Sequence, residues 1–247
     1  MQSIFARLGS DKLRQWLPLA TLVILVAVVG VMQPVFLEPS TLLQLASDTA
    51  VLFILATGVT FVIMLGGIDL SIQSMASLAS VIVALTVARF GYGAFVLAVA
   101  VGALAGLLSG LAHVRLKVPS FIATLAMGGV LFSTALVTSK ERSITLGDVD
   151  RSYQTWITGT VFGVPNVIII GLIVLAIAHT LQAHTRFGRY SAAIGAGEPA
   201  AYASGVKVDR QKVFAYVLSA TFAALAGVIL AGRLASGSPT LAAALLL

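Results

Sequence analysis

Between Thr49 and Ala88 only one side chain, Asp69, is ionisable. As a single helix rising ~1.5 Å per residue, that run would be roughly 60 Å long, about twice the ~30 Å hydrocarbon core of a bilayer. The run therefore has to hold two membrane helices with a break between them. Gly66-Gly67 is the expected break, because glycine carries the largest backbone entropy cost inside a helix and turns where other residues cannot. Asp69 lies just beyond it. A carboxylate at membrane depth costs about 2.5–3.5 kcal/mol even on the lenient insertion scale, so Asp69 must face protein, water or a helix N-terminus. Asp69 and Ser71 are both expected to cap a helix beginning near Leu70, accepting its unpaired N–H groups. A buried cap that never meets solute and a residue lining a pathway both satisfy this constraint.

Composition extends the argument to the whole chain. With 59% hydrophobic and 10% charged residues, it falls far below the ~25% charge of a soluble domain. The apolar stretches are continuous and of helical length, which points to an all-α polytopic bundle rather than an outer-membrane barrel. A net charge of +6 does not signal nucleic acid here, since the basic residues lie between apolar runs instead of on a soluble patch. The absence of cysteine excludes disulfides, thiolate metal sites and cysteine catalysis.

Seven spans are predicted within one transmembrane domain: Trp16–Met32, Thr41–Leu65, Leu70–Ala88, Ala94–Ala112, Ser120–Thr138, Val164–Leu181 and Val213–Ala231. Asp48 is expected near the interface, where its charge stays hydrated. Ser139–Gly163, which carries Lys140, Glu141, Arg142, Asp148, Asp150 and Arg151, is expected in water, with Tyr153 and Trp156 at headgroup level. His113 and His184 are expected to be solvated at span ends. His179, inside a span, is expected to make a core hydrogen bond or to serve a proton relay.

Charge then sets topology. With residues 1–15 in the cytoplasm, the inner segments hold Arg7, Lys12, Arg14, Arg115, Lys117, Arg186, Arg189, Lys207, Arg210 and Lys212. The outer segments hold only Arg89, Lys140, Arg142, Arg151 and Arg233, so the positive-inside bias favours a cytoplasmic N-terminus. Small residues recur every fourth position in three spans: Ala76, Ser80, Ala84 and Ala88; Gly102, Gly106 and Gly110; Ser219, Ala223, Gly227 and Ala231. Such ridges let backbones approach closely, within one subunit or across a dimer.

The polar stretch 184–212 contains a second feature. Glu198 to Ser204 reads as a two-turn helix, with Pro199 in its first turn and Gly205 as its stop. So short a helix is unstable alone and needs a surface, either a soluble partner at the cytoplasmic face or the membrane itself. Gly195, Gly197 and Ala200 have dinucleotide-fingerprint spacing, but no strand precedes them. No phosphate-binding loop, His-Glu-x-x-His or Gly-x-Ser-x-Gly occurs, so neither a catalytic residue nor a bound cofactor or metal is expected.

Three segments carry a family resemblance: Gly66-Gly67-Ile68-Asp69-Leu70-Ser71, Val118-Pro119-Ser120-Phe121-Ile122-Ala123-Thr124-Leu125, and Thr185-Arg186-Phe187-Gly188-Arg189 with Ala193-Ile194-Gly195 and Val208-Asp209-Arg210. In this order they closely resemble the inner-membrane permease subunits of bacterial ABC importers for monosaccharides. The resemblance runs from the first span to about Pro239. It implies a homodimeric permease in the lipid bilayer of the bacterial inner membrane, fed by a periplasmic sugar-binding protein and driven by a separate ATP-binding cassette ATPase. It also implies that Gly188, Arg189, Gly195, Glu198, Ala200, Ala201, Ala203 and Gly205 belong to the segment that couples to the ATPase. Gly66, Gly67, Asp69, Ser71, Gln73 and Ser74 are then candidate pathway residues, with Thr60 a further hydroxyl. Relatives continue with several more spans after the Pro-Thr pair, whereas here Pro239-Thr240 is followed by a short apolar end, and truncation after 240 is an expectation of the resemblance.

Two other readings of the residues stand beside this one. Asp69 at a broken helix also suits a self-contained, ion-coupled secondary transporter. An importer permease for branched-chain amino acids or nucleosides would share the general layout.

Overall fold

A computed structural model describes residues 2–147 and 151–242, with side chains described at 16–147 and 153–242. Asp148, Asp150, the side chains of Arg7, Lys12, Arg14 and Arg151, and residues 243–247 lie outside the described residues. The chain forms two compact units, Met1–Ala46 and Ser47–Leu247.

In the first unit, helix α1 (Gln2–Met32) leads through a 3-10 turn (Pro34–Leu37) into the start of α2 (Pro39–Met64). α1 is continuous from Gln2, whereas the hydropathy pattern begins a helix only at Trp16. Its apolar part, Trp16–Met32, is the predicted first span, and Leu22, Ile24 and Leu25 on it are exposed, as a lipid-facing surface requires.

In the second unit, α2 is followed by α3 (Ile72–Phe90), α4 (Gly93–Arg115) and α5 (Ser120–Ser139), then α6 (Arg151–Thr158) and α7 (Asn166–His184). Helices α8 (Arg186–Ala196), α9 (Glu198–Ala203) and α10 (Val208–Leu234) complete the helical part. Among the described residues six helices, α2, α3, α4, α5, α7 and α10, are long and apolar enough to cross a membrane, so this is a multi-pass membrane protein.

α10 is the axis of this unit. Its apolar stretch is 67% buried against 22% for α7, and it packs along both α4 and α3. The small-residue ridges do this packing. A Cβ at Gly106 would collide with the Tyr216 carbonyl on α10, and one at Gly227 would collide with the Ala76 carbonyl on α3. The close approach of backbones therefore serves contacts within the chain.

One end of α10 is clasped. Strand β1 (Ile144–Thr145) pairs antiparallel with β4 (Ser236–Gly237), which follows α10 directly. Ser238 N–H donates to Ser80 Oγ at 3.3 Å, and Ala242 N–H donates to Ser77 Oγ at 3.1 Å, both on α3. Arg233 donates to the Ser47 carbonyl at 2.9 Å and forms an ion pair with Asp48, so Asp48 is paired as well as partly hydrated.

Several boundaries differ from the sequence reading. α3 begins at Ile72 rather than Leu70, because the preceding backbone hydrogen-bonds to another helix. α7 begins at Asn166, since Val164–Pro165 (β3) turns back on Thr160–Val161 (β2). The 139–163 segment is not wholly in water: α6 lies in it and buries Ile157, which packs where a Cβ at Gly232 of α10 would sit. The 184–212 stretch contains α8, whose Phe187, Gly188, Ser191 and Ile194 are buried on one face. Phe187 sits between Phe61 of α2 at 5.6 Å and Phe214 of α10 at 5.1 Å between ring centroids.

Two histidines are also placed differently. His113 is half-buried, with Nδ1 2.8 Å from the Val118 carbonyl, which it can reach because α4 ends just before that turn. His179 is exposed on the outward side of peripheral α7, its ring 6.0 Å from that of His184, so it makes no core hydrogen bond.

Candidate functional site

The break after α2 is a closed helix terminus rather than a frayed one. Gly66 lies at φ +76°, in the left-handed region that glycine enters without a Cβ penalty. Gly67 N–H donates back to the Val62 carbonyl at 3.0 Å and Gly66 N–H to Ile63 at 2.9 Å. This pair of bonds satisfies carbonyls that would otherwise be orphaned at the end of an apolar, membrane-length helix. Gly67 is needed for a different reason: a Cβ there would lie 2.6 Å from the Tyr216 hydroxyl and 2.9 Å from a Val62 methyl.

Ile68 to Leu70 then has no regular secondary structure, and its backbone needs partners from outside its own segment. α5 supplies them. Ile68 N–H donates to Ser120 Oγ and Leu70 N–H to Thr124 Oγ1, each at 3.1 Å, and the Thr124 hydroxyl lies 3.2 Å from the Ile68 carbonyl. Ser120 and Thr124 are four residues apart, hence on one face of α5.

Asp69, only 5% exposed, is the one buried acidic or basic residue among those described. Its Oδ1 accepts from Ser71 N–H at 2.9 Å and from Ser71 Oγ at 2.6 Å, while Oδ2 accepts from Ser219 Oγ of α10 at 2.7 Å. The expected double cap is thereby corrected. Ser71 stands at the N-cap but in α-helical backbone conformation, and its hydroxyl is spent on Asp69 instead of on the helix. Asp69 ties the break to α10, a role that three hydroxyl and amide donors to one carboxylate can sustain without a basic partner.

The remaining candidates divide. Gln73 and Ser74 are half-buried on the first turn of α3, and Thr60 is exposed with its hydroxyl donating to the Ala56 carbonyl of its own helix at 2.7 Å. In the other group, α9 covers Glu198–Ala203 and ends where Gly205, at φ +81°, reverses the chain, as expected. Ala201 is buried, whereas Tyr202 projects with 74% exposure. Ala200, Ala203 and Arg189 are exposed, and Gly188 is buried where the chain turns sharply from α7 into α8.

A cavity of about 360 Å3 brings the two groups together, with Gly66 and Gly67 on one wall and Gly195 and Glu198 on another. Lys212 and Tyr216 of α10 and His113 of α4 complete it. Sequence reading missed Ser219, Thr124 and Tyr216 as partners of the break. The hydroxyls at 120 and 124 in an otherwise apolar span were the available signal; nothing near Ser219 in the sequence points to Asp69.

Residues 41–247 match the family described as branched-chain amino acid transport system / permease component. The ribose import permease protein of Haemophilus influenzae is 38% identical over 223 residues, covering 89% of this chain and 69% of the relative. That of Bacillus subtilis is 38% identical over 245 residues, covering 97% and 76%. The fructose import permease protein of Rhizobium meliloti is 31% identical over 234 residues, covering 90% and 65%. No solved structure matches the chain. With most of its length matched and relatives at 38% identity, the chain belongs to the branched-chain amino acid transport system / permease component family.

Proposed function

We propose that this chain is the permease subunit of an ATP-binding cassette importer that carries a monosaccharide across the bacterial inner membrane. A separate ATPase subunit drives it, and an extracytoplasmic sugar-binding protein delivers the solute. Relatives named for ribose and fructose import support the substrate class.

The observation that carries the choice of a sugar over an amino acid is the state of Asp69. A zwitterion needs a carboxylate free to meet its ammonium group and a cation to meet its carboxylate. Asp69 already accepts three hydrogen bonds and no other buried charge lies among the described residues. A neutral polyhydroxylated solute asks only for hydroxyl, amide and backbone groups, such as the half-buried Gln73 and Ser74 carry beside the break. The same occupancy weighs against Asp69 as an ion-coupling site.

In this reading Gly66, Gly67, Asp69 and Ser71, with Gln73 and Ser74 beside them, form or position the solute path. The stretch 184–212 faces the cytoplasm with the N-terminus, α9 docks on the ATPase through its exposed Tyr202 face, and two copies of the permease pair. Proteoliposomes holding the chain with its ATPase and binding protein should accumulate radiolabelled ribose or a similar monosaccharide only when ATP is supplied. Accumulation by the chain alone would overturn the assignment. So would retention of the ATPase subunit on co-purification after residues 198–205 are replaced by a Gly/Ser linker.

A further inference from the structure

Lys212 sits near the start of α10 with its side chain 16% exposed, and its ammonium donates to both carboxylate oxygens of Glu198 at 2.7 and 2.8 Å. That ion pair fixes the first residue of α9 to α10. One turn further, Tyr216 is 2% exposed and its hydroxyl closes on Gly67, leaving no room for a Cβ there. A turn beyond that, Ser219 holds Asp69. Positions 212, 216 and 219 follow the i, i+4, i+7 spacing of one helix face, so a single stripe of α10 touches the short helix, the glycine turn and the buried carboxylate in succession. The cavity of about 360 Å3 is lined by Glu198 of α9 and by Gly66 and Gly67 of the turn, and Lys212 and Tyr216 of α10 line it with them.

The Tyr216 hydroxyl is the second observation. It is buried and makes no well-formed hydrogen bond, although the Ser120 Oγ that takes the Ile68 N–H lies close enough to act on it. An unpaired buried hydroxyl is costly and calls for a reason. It is relieved if the turn shifts and brings Ser120 or a turn carbonyl into bonding geometry.

We propose that Lys212, Tyr216 and Ser219 are positioning residues that carry a displacement of α9 to the Asp69 break, and that the Tyr216 hydroxyl is unpaired in this conformation and bonded in the alternate one. The proposal rests on the importer reading and adds the residues that make a push on α9 felt at the solute path. Losing the hydroxyl then removes a bond made only in the alternate conformation, which disfavours that conformation, so that more ATP is hydrolysed per solute moved, without loosening the fold.

The test uses the reconstituted permease with its ATPase and binding protein, reading solute moved per ATP hydrolysed. Lys212→Met should keep the ATPase bound and hydrolysing but lower uptake per ATP by roughly tenfold, and exchanging the charges (Glu198→Lys with Lys212→Glu) should recover it to within about threefold. Tyr216→Phe should lower uptake several-fold with thermal stability equal or higher. Wild-type uptake per ATP in Tyr216→Phe, or a charge exchange no better than Lys212→Met alone, overturns the relay. A separate measurement needs no solute: in this cysteine-free chain, spin labels at Tyr202→Cys and Ile68→Cys in nanodiscs should give one narrow distance that Lys212→Met broadens. An unchanged distribution overturns the relay, whereas absence of sugar uptake by the wild-type complex strikes the importer reading and leaves this measurement to decide the relay.

Discussion

Ser219 Oγ donates to Asp69 Oδ2 across 2.7 Å, joining α10 to the helix break over 150 residues of sequence. Because Oδ1 accepts from Ser71 twice, the carboxylate is held from both sides and three of its roughly four acceptor positions are taken.

Substitution at Asp69 should therefore separate structure from charge. Asp69→Ala orphans the Ser71 N–H and is expected to cost about 3 kcal/mol, read as a lowered thermal midpoint in detergent. Asp69→Asn can still accept from Ser71 N–H and donate to Ser219, so its loss should be nearer ~1 kcal/mol and ATP-driven uptake should persist. Uptake abolished in Asp69→Asn with stability retained would instead mark an ion-coupling site.

Gly67→Ala places a methyl 2.6 Å from the Tyr216 hydroxyl. Overpacking of this kind is worth about 1–3 kcal/mol, and removing the obstructing oxygen in Gly67→Ala/Tyr216→Phe should return part of it. Equal stability of the single and double variants in thermal melts would mean that the hydroxyl is not the obstacle.

Gly106 and Gly129 form a matched pair. A Cβ at Gly106 collides with backbone of α10, which cannot move aside cheaply, whereas nothing lies within 4 Å of one at Gly129. Gly106→Ala should lower the yield of monodisperse protein and its melting temperature, by about 2 kcal/mol or more, and Gly129→Ala should leave both unchanged or slightly raised.

Orientation can be read by labelling, since the chain has no native cysteine to mask. Tyr202→Cys on α9 and Phe162→Cys at the tip of the β2–β3 hairpin are both exposed and lie beyond opposite ends of α7. In intact cells a membrane-impermeant maleimide should label position 162 and spare 202. The reverse pattern would invert the topology.

Much of this was legible in the sequence for physical reasons that are local. The break at Gly66-Gly67 follows from the length of the apolar run, and α9 from Pro199 and Gly205. The ends of α5 were set by Pro119 and the charged turn after Ser139. What escaped depended on distant partners. Ser71 caps nothing because Asp69 takes its hydroxyl, and Asp69 is positioned by a serine on another helix. α3 starts late because Ser120 and Thr124 claim the N–H groups of Ile68 and Leu70. α8 was hidden by the charged residues around it, although Phe187, Ser191 and Ile194 have helical spacing and all turn inward.

The clasp at the far end of α10 gives that helix a fulcrum. With Arg233, Ser238 and Ala242 tethered to α2 and α3, a push delivered at Lys212 by the proposed relay would tilt α10, together with the α4 backbone packed on it, about this fixed end instead of sliding it. At ~1.5 Å per residue, Ser219 lies about 21 Å from Arg233 and Lys212 about 31 Å, so the carboxylate at the break would feel roughly two thirds of the travel imposed at the ion pair. Lengthening the leash at residues 236–238 would turn the swing into slippage.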